Sequence, residues 1–468
     1  MQNEKFQAIV DKAYEAGGMV GMSITTTEKG KHTHFTVGHA DAAAGQAVTE
    51  RTVFPWASCT KSFFAVAAAI LHQKGGLSLD IPIKKYMPTL DLVDKYTENN
   101  VTIRDLLCHR SGIPRHDVAW AMHIEQGLTP EGIVAKLAHL PPFASFREKF
   151  SYNNMCYVLA GEAMLAATGK VWSQAVREEI TDKAGIKDIS FDVAGMDTHA
   201  DKALRHINKD GKIEAAPYTI YDANGPATTI NTSTSELIKW IDAQMDGTLD
   251  ASALALCHSP QMGMPPAPVG VGHPDSDMAC FGLGFGIHRF KGTKLLAHTG
   301  GIDGFVSVHF LMPDLGFGGA IAASVTGTPA YLMHALMFAL ADIALGNDPD
   351  WEQICKWLTP PAVEPPKQEI VHTIPALPLE AYVGHYAHPG YGEMEVVLRG
   401  GKLAMIFGTF DIPLGHFNGN FFNLFEDGSG LSFPAQFITN RDGKVIAFDI
   451  RLEVLLEQPA RFDKSITH

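Results

Sequence analysis

The sequence predicts an α/β fold: an antiparallel sheet flanked by helices and interrupted by an inserted helical subdomain, followed by a small all-β barrel domain. Three observations carry this expectation. Strand-like segments stand near both ends of the first 345 residues, with a long helical stretch between them. A stiff Pro-rich run, Thr359-Pro360-Pro361-Ala362-Val363-Glu364-Pro365-Pro366-Lys367, then divides the chain. Beyond it the texture changes to short alternating strands separated by turns. The expected boundaries are residues 1–350 for the first domain, 351–372 for the linker and 373–468 for the barrel.

Residues 6–16 have the spacing of an amphipathic helix. Residues 20–27 and 32–37 read as strands joined through Glu28-Lys29-Gly30-Lys31, a hairpin. From Ser58 to about residue 245 the pattern is mostly helical, broken by Pro- and Gly-containing loops. Within it Ser233-Thr234-Ser235-Glu236 precedes Leu237-Ile238-Lys239-Trp240 as a capping box. Strand patterns return at residues 282–288, 294–297, 305–312 and 318–325, and Thr328-Pro329 then caps a long apolar helix. After the linker, turns such as Pro389-Gly390-Tyr391-Gly392, Arg399-Gly400-Gly401-Lys402, Asn418-Gly419-Asn420 and Glu426-Asp427-Gly428-Ser429-Gly430 separate short strands. Seven or eight of them at near-regular spacing imply an up-and-down barrel or a compact sandwich.

Composition narrows the function classes. The formal charge is -14, and neither a basic run nor zinc-like Cys/His spacing occurs, which argues against nucleic acid or an anionic membrane as partner. The most apolar run, residues 330–345, contains His334 and Asp342 and is too short to span a bilayer. The six cysteines (59, 108, 156, 257, 280 and 355) are scattered without paired spacing and are expected to be reduced. The polar start, Met-Gln-Asn-Glu-Lys-Phe-Gln, carries no apolar signal segment, so a cytoplasmic location is expected, or a periplasmic or secreted one had a signal been removed.

The chemistry begins at Ser58-Cys59-Thr60-Lys61. Residues three apart share a helix face, so Lys61 reaches the oxygen of Ser58. Ser58 then sits near a helix N-terminus, where unpaired N–H groups favour negative charge. A burial-depressed amine beside a hydroxyl is a nucleophile with its general base. An isolated Ser-x-x-Lys is more often an N-cap serine with a surface lysine, so the reading depends on partners. Two follow. Tyr152-x-Asn154 places a phenol and an amide on a loop that opens the apolar helix 155–167. His298-Thr299-Gly300-Gly301 stands at the end of the strand 294–297, where glycines let backbone approach a ligand.

In this order the three motifs resemble the penicillin-recognising serine hydrolases, in the class C β-lactamase branch with its DD-peptidases, D-aminopeptidases and esterases. Ser58-x-x-Lys61 matches the first motif and Tyr152-x-Asn154 the second, and His298-Thr299-Gly300 stands where most members have Lys-Thr-Gly. The resemblance covers residues 5–345; the segment after the linker is similar to the lipocalin-like barrels appended to some peptidases of this branch. It implies that Ser58 attacks a carbonyl and becomes acylated, with Lys61 and its partner Tyr152 moving the proton to the leaving group. Backbone N–H groups of Ser58 and Gly301 would form the oxyanion hole. Asn154, His298, Thr299 and Gly300 would bind substrate, and no metal or cofactor is needed. Histidine in place of lysine is mostly neutral at pH 7, although it can donate a hydrogen bond, which leans the reading away from a dedicated β-lactamase. The expected substrates are small peptides, amides or esters, including D-residues. A β-lactamase or slowly deacylating penicillin-binding protein is the alternative, and a non-catalytic scaffold the further one. Substrate choice would rest on residues 113–145 and 215–230, and self-association on the barrel.

Other features read as structure. Gly282-Leu283-Gly284-Phe285-Gly286 is taken as a glycine-rich strand rather than a phosphate loop. His109, Arg110, Arg115, His116 and Asp117 are taken as a loop hydrogen-bond network. His32 and His34 share a strand face without further metal ligands in view, and Cys59 is assigned to packing.

Overall fold

The computed structural model describes residues 2–124, 127–264, 273–327, 331–359, 374–424, 433–453 and 455–465. They form two compact units: Met1–Pro88, Asn100–Arg110 and Cys156–Pro361 make the first, and Thr89–Asn99, Ser111–Met155 and Ala362–His468 the second.

The first unit is built on an antiparallel sheet. Its strands lie in the order Gln46–Ala47, Lys31–Asp41, Met19–Glu28, Phe317–Val325, Phe305–Met312, Thr293–Ile302, Gly286–Phe290, Ser276–Phe281 and Met262–Gly263. Early and late strands therefore meet at the centre, where Ile24 pairs with Ile321. The first hairpin turns at Lys29 and Gly30, both with positive φ, the geometry whose twist matches the paired strands.

Alternation along the strands divides the unit into two layers. Met22, Ile24, Val308, Phe310, Ile321 and Ala323 join a core with the helices Gln2–Glu15, Tyr331–Ala344 and Trp351–Leu358. The intervening positions include buried Ser23, Thr25, Ser307 and His309, a polar set. These meet two helices on the other face: Thr25 Oγ1 bonds Thr234 Oγ1 at 2.9 Å, and His309 bonds Ser62 at 2.7 Å. Ser233 caps the Thr234–Ala243 helix by accepting the Glu236 N–H, the serine half of the expected capping box, while Glu236 Oε2 accepts from Lys187 N at 2.7 Å.

Three local expectations change. Gly282–Phe285 is not strand but the turn between Ser276–Phe281 and Gly286–Phe290; Gly284 has φ +76, and a Cβ there would lie 2.7 Å from the Lys61 carbonyl oxygen. The strand begun at Thr293 continues through His298 to Ile302, with its turn at Asp303 and Gly304. Residues 351–358, placed in the linker, form a helix whose Trp351, Ile354 and Leu358 are buried. The Pro-rich run from residue 360, Thr328-Pro329 and the turn 426–430 lie outside the described residues.

The second unit contains a closed eight-stranded barrel, Gly384–His388 through Ala460–Lys464, in which sequence neighbours pair and the last strand closes on the first. This is the up-and-down form. Aromatic rings pack it: Phe437 stacks on Phe448 at 4.1 Å, and Tyr382 and Tyr386 flank Phe437. The buried Tyr386 hydroxyl donates to the Tyr382 carbonyl at 2.6 Å.

Candidate active site

The turn that carries Ser58 is held from several directions. The short strand Val53–Pro55 pairs with Asn231–Ser233, and the Trp56 ring N–H donates to Thr232 O at 2.9 Å. Ala57 then adopts φ +46 while buried, a conformation that costs a non-glycine residue about 1–2 kcal/mol. Contacts on both sides impose it: Ser307 Oγ donates to Trp56 O at 2.9 Å, and the Cys59 thiol donates to His298 O at 3.2 Å. Ala57–Cys59 forms a 3-10 turn leading into the helix Thr60–Gln73.

Helical spacing then delivers the expected pair. Lys61 Nζ lies 3.1 Å from Ser58 Oγ and donates to Ala227 O at 2.9 Å. Lys61 is wholly buried, whereas Ser58 is partly open to solvent. The Tyr157 ring centroid is 5.3 Å from Nζ, and its hydroxyl is held by Leu107 O at 2.7 Å. Below the turn, Ser62 donates to Cys59 O at 2.8 Å, which leaves His309 Nε2 as the donor to Ser62 Oγ.

His298 lies in the adjacent strand, opposite His309, and is 7% exposed. Burial, and secondly the Lys61 charge, hold its pKa well below the usual histidine range, so the ring is neutral at physiological pH. Nδ1 contacts Thr299 O at 2.6 Å; a carbonyl only accepts, so Nδ1 carries the proton and Nε2 is left as an acceptor. In this arrangement the ring's one N–H is directed to the backbone.

Pairing with the Gly286–Phe290 strand ends at Gly286↔Ala297, so among the described residues His298–Ile302 pairs only with Phe305–His309 on its other side. Within this stretch the two glycines differ. A Cβ on Gly300 would overlap the carbonyl oxygen of Trp56 and Oγ of Ser307, whereas one on Gly301 meets nothing within 4 Å. Gly300 thus lets the strand lie against the Ser58 turn. Gly300→Ala is expected to cost about 1–3 kcal/mol of stability through overpacking. It should also lower kcat/KM about a hundredfold, because the turn must move. Gly301→Ala should leave the melting temperature unchanged; thermal melts and kinetics on the two variants check the contrast.

Tyr152 and Asn154 belong to the second unit. Tyr152 lies under the Arg115 guanidinium, 5.1 Å from ring centroid to Cζ, and Asn154 opens the helix Asn154–Thr168 with Nδ2 donating to Asp117 Oδ1 at 3.1 Å. Ser58, Lys61, His298, Thr299, Gly300 and Gly301 belong to the first. Sequence reasoning missed Ser307 and His309. Their only signal is polar residues alternating with Val308 and Phe310 in an otherwise apolar strand. Tyr157 and the Ala227 carbonyl left no signal.

The remaining features resolve as structure. His32 Nε2 meets Asp242 Oδ2 at 2.6 Å and His34 Nδ1 meets Thr25 Oγ1 at 2.9 Å. Arg110 binds Asp105 at 2.6 Å, and His109 packs on Tyr157 and Phe281. Cys59 is buried, and burial pushes its thiol up to about 12, so it stays protonated. None of the six cysteines is in a disulfide among the described residues. Among the described residues no group of three or more metal-ligating side chains converges, and no helix is long and apolar enough to cross a membrane.

A sheet layered between helices, with a buried lysine reaching the serine one turn before it, defines a serine hydrolase. The chain belongs to the Beta-lactamase family, whose model matches residues 6–342. Residues 368–464 match a domain of unknown function, DUF3471. The chain is 26% identical to an unguisins hydrolase from Aspergillus violaceofuscus, over 96% of this chain and 88% of that protein. The octameric penicillin-binding protein homologue from Pyrococcus abyssi superposes with a TM-score of 0.66 at 21% identity, over 99% of this chain and all of that one. The D-amino acid amidase from Ochrobactrum anthropi SV3, complexed with L-phenylalanine, gives 0.60 at 25% identity, over 74% of this chain and 97% of that one.

Proposed function

We propose that this protein hydrolyses small amides, peptides or esters, with D-amino-acid acyl groups among them, through an acyl-enzyme at Ser58. The observation that carries the reading is the fully buried Lys61 amine 3.1 Å from Ser58 Oγ. Ser58 Oγ attacks the substrate carbonyl carbon, and its proton passes through Lys61 and Tyr152 to the leaving amine or alcohol as the C–N or C–O bond breaks. The N–H groups of Ser58 and Gly301 take the oxyanion, and Asn154 the amide of the acyl group. Water, activated by the same bases, then releases the acid. A D-amino acid amidase among the similar structures supports amide substrates, and an unguisins hydrolase among the relatives supports hydrolysis.

His298 refines the choice. A neutral ring presenting Nε2 as an acceptor favours an N–H or O–H of the substrate and offers no cation to a free carboxylate.

A panel of D- and L-phenylalanine amide, D-Ala-D-Ala peptides as free acid and C-terminal amide, p-nitrophenyl esters and a fluorescent penicillin tests this reading. Amides of D-residues should turn over, and peptide mass mapping should place the trapped acyl group on Ser58. At pH 7 the C-terminally amidated peptide should outrun its free acid roughly tenfold, the value of one unmatched charge-assisted hydrogen bond. Unchanged hydrolysis by Ser58→Ala refutes the acyl-enzyme; a free-acid preference refutes the role given to His298.

A further inference from the structure

We infer that the C-terminal barrel positions the Tyr152-x-Asn154 motif, through a direct side-chain chain that runs from Tyr391 and Glu453 to His116 and on to Arg115 and Asp117. The inference rests on the reading that Tyr152 and Asn154 serve the Ser58 reaction.

The chain begins at a buried histidine in a strained position. His116 has φ +46 and is 1% exposed. A β-carbon-bearing residue holds that conformation only where its surroundings impose it. The surroundings are largely barrel: the His116 backbone N–H donates to Glu453 Oε2 at 3.1 Å, and its Nδ1 meets the Tyr391 hydroxyl at 2.6 Å. Nε2 donates to Pro141 O at 3.0 Å, so Nδ1 is the lone-pair acceptor and Tyr391 the donor. Burial lowers the His116 pKa and raises that of Tyr391, which keeps both partners neutral and this polarity fixed.

The residues on either side of His116 hold the motif. Arg115 lies over the Tyr152 ring and donates to Asp117 Oδ2 at 2.6 Å. Asp117 Oδ1 accepts from Asn154 Nδ2 at 3.1 Å and from the Trp120 ring N–H at 3.2 Å. Asn153, between the motif residues, donates to Pro114 O at 2.5 Å. The turn that follows the short helix Asp117–Ala121 lies directly on the barrel. His123 Nε2 meets Tyr391 O at 2.5 Å, and a Cβ on Gly392 or Gly408 would overlap His123 or the Met122 carbonyl. Tyr391 and Glu453 are thus positioning residues that act through His116.

Tyr391→Phe removes only the hydroxyl and leaves His116 Nδ1 buried without its donor. For D-phenylalanine amide we expect kcat to fall about tenfold with KM changed less than about twofold, the signature of misplaced catalytic groups rather than lost substrate contacts. The side-chain amide NMR signal of Asn154, assigned by its disappearance in Asn154→Ala, should move. Tyr386→Phe is the control, because it removes an equally buried barrel hydroxyl that donates to Tyr382 O. It should leave kcat and the Asn154 signal unchanged whatever it does to the melting temperature. Equal kcat losses in the two variants, or an unmoved Asn154 signal in Tyr391→Phe, overturns the inference. If Tyr391→Phe does not fold, Glu453→Gln is read by the same criteria. The Asn154 signal needs no catalysis, so a failed acyl-enzyme reading, seen in Ser58→Ala, is distinguishable from failure of the barrel coupling.

Discussion

Replacing Lys61 with methionine is expected to lower kcat/KM by at least about a thousandfold, a loss of about 4 kcal/mol in transition-state stabilisation. The thioether has similar length and fills the same buried space, so the fold keeps its packing while Ser58 Oγ loses the amine 3.1 Å away. Two further outcomes separate this from a general defect. The melting temperature should fall by no more than the loss of the Lys61–Ala227 hydrogen bond implies, because methionine fills the same buried space beside the Tyr157 ring. The double variant Ser58→Ala/Lys61→Met should be no slower than either single variant, since nucleophile and base act as one unit. Steady-state kinetics on the three variants decide it; additive losses would remove Lys61 from the proton path.

Acid should unfold the first unit well before its carboxylates titrate. His258, His288 and His309 are each less than a tenth exposed, and burial, the leading cause in each, lowers their pKa values to about 3, 4 and 3. In the unfolded chain they protonate near ~6.5. Below that pH the unfolded state therefore binds protons that the folded state refuses, and stability falls as pH falls. It is fully present above about pH 6.5 and is lost progressively down to about pH 3–4, at about 1.4 kcal/mol per pH unit for each histidine. At pH 5 the three together remove on the order of 6 kcal/mol, comparable with the whole stability of many domains. Calorimetry should find a flat melting temperature from pH 8 to 7 and a steep decline below 6.5. A melting temperature that holds to pH 5 would mean these histidines are not kept neutral.

Much of the fold and site was legible because it depends on local spacing. Lys61 reaches Ser58 through the pitch of one helical turn, the hairpin at Lys29 and Gly30 follows from its turn residues, and the barrel from alternating strands between glycine-rich turns. What misled was equally local. Gly282–Phe285 carries a strand-like composition but turns, because Gly284 must pass close to the Lys61 carbonyl. Trp351–Leu358 sits beside prolines yet folds as a helix, because Trp351, Ile354 and Leu358 share one buried face.

By itself, then, the sequence determined the order of the motifs and the pairing of Ser58 with the Lys61 amine, since neighbours along the chain settle these. Only the tertiary structure decided the proton on His298, the support of the Ser58 turn by Ser307 and His309, and the attachment of His116 to Tyr391 and Glu453. Each of those depends on strand register and on which distant side chains exclude water. A histidine's charge and tautomer are set by burial and by the carbonyl its ring N–H finds, and neither is written in the residues beside it.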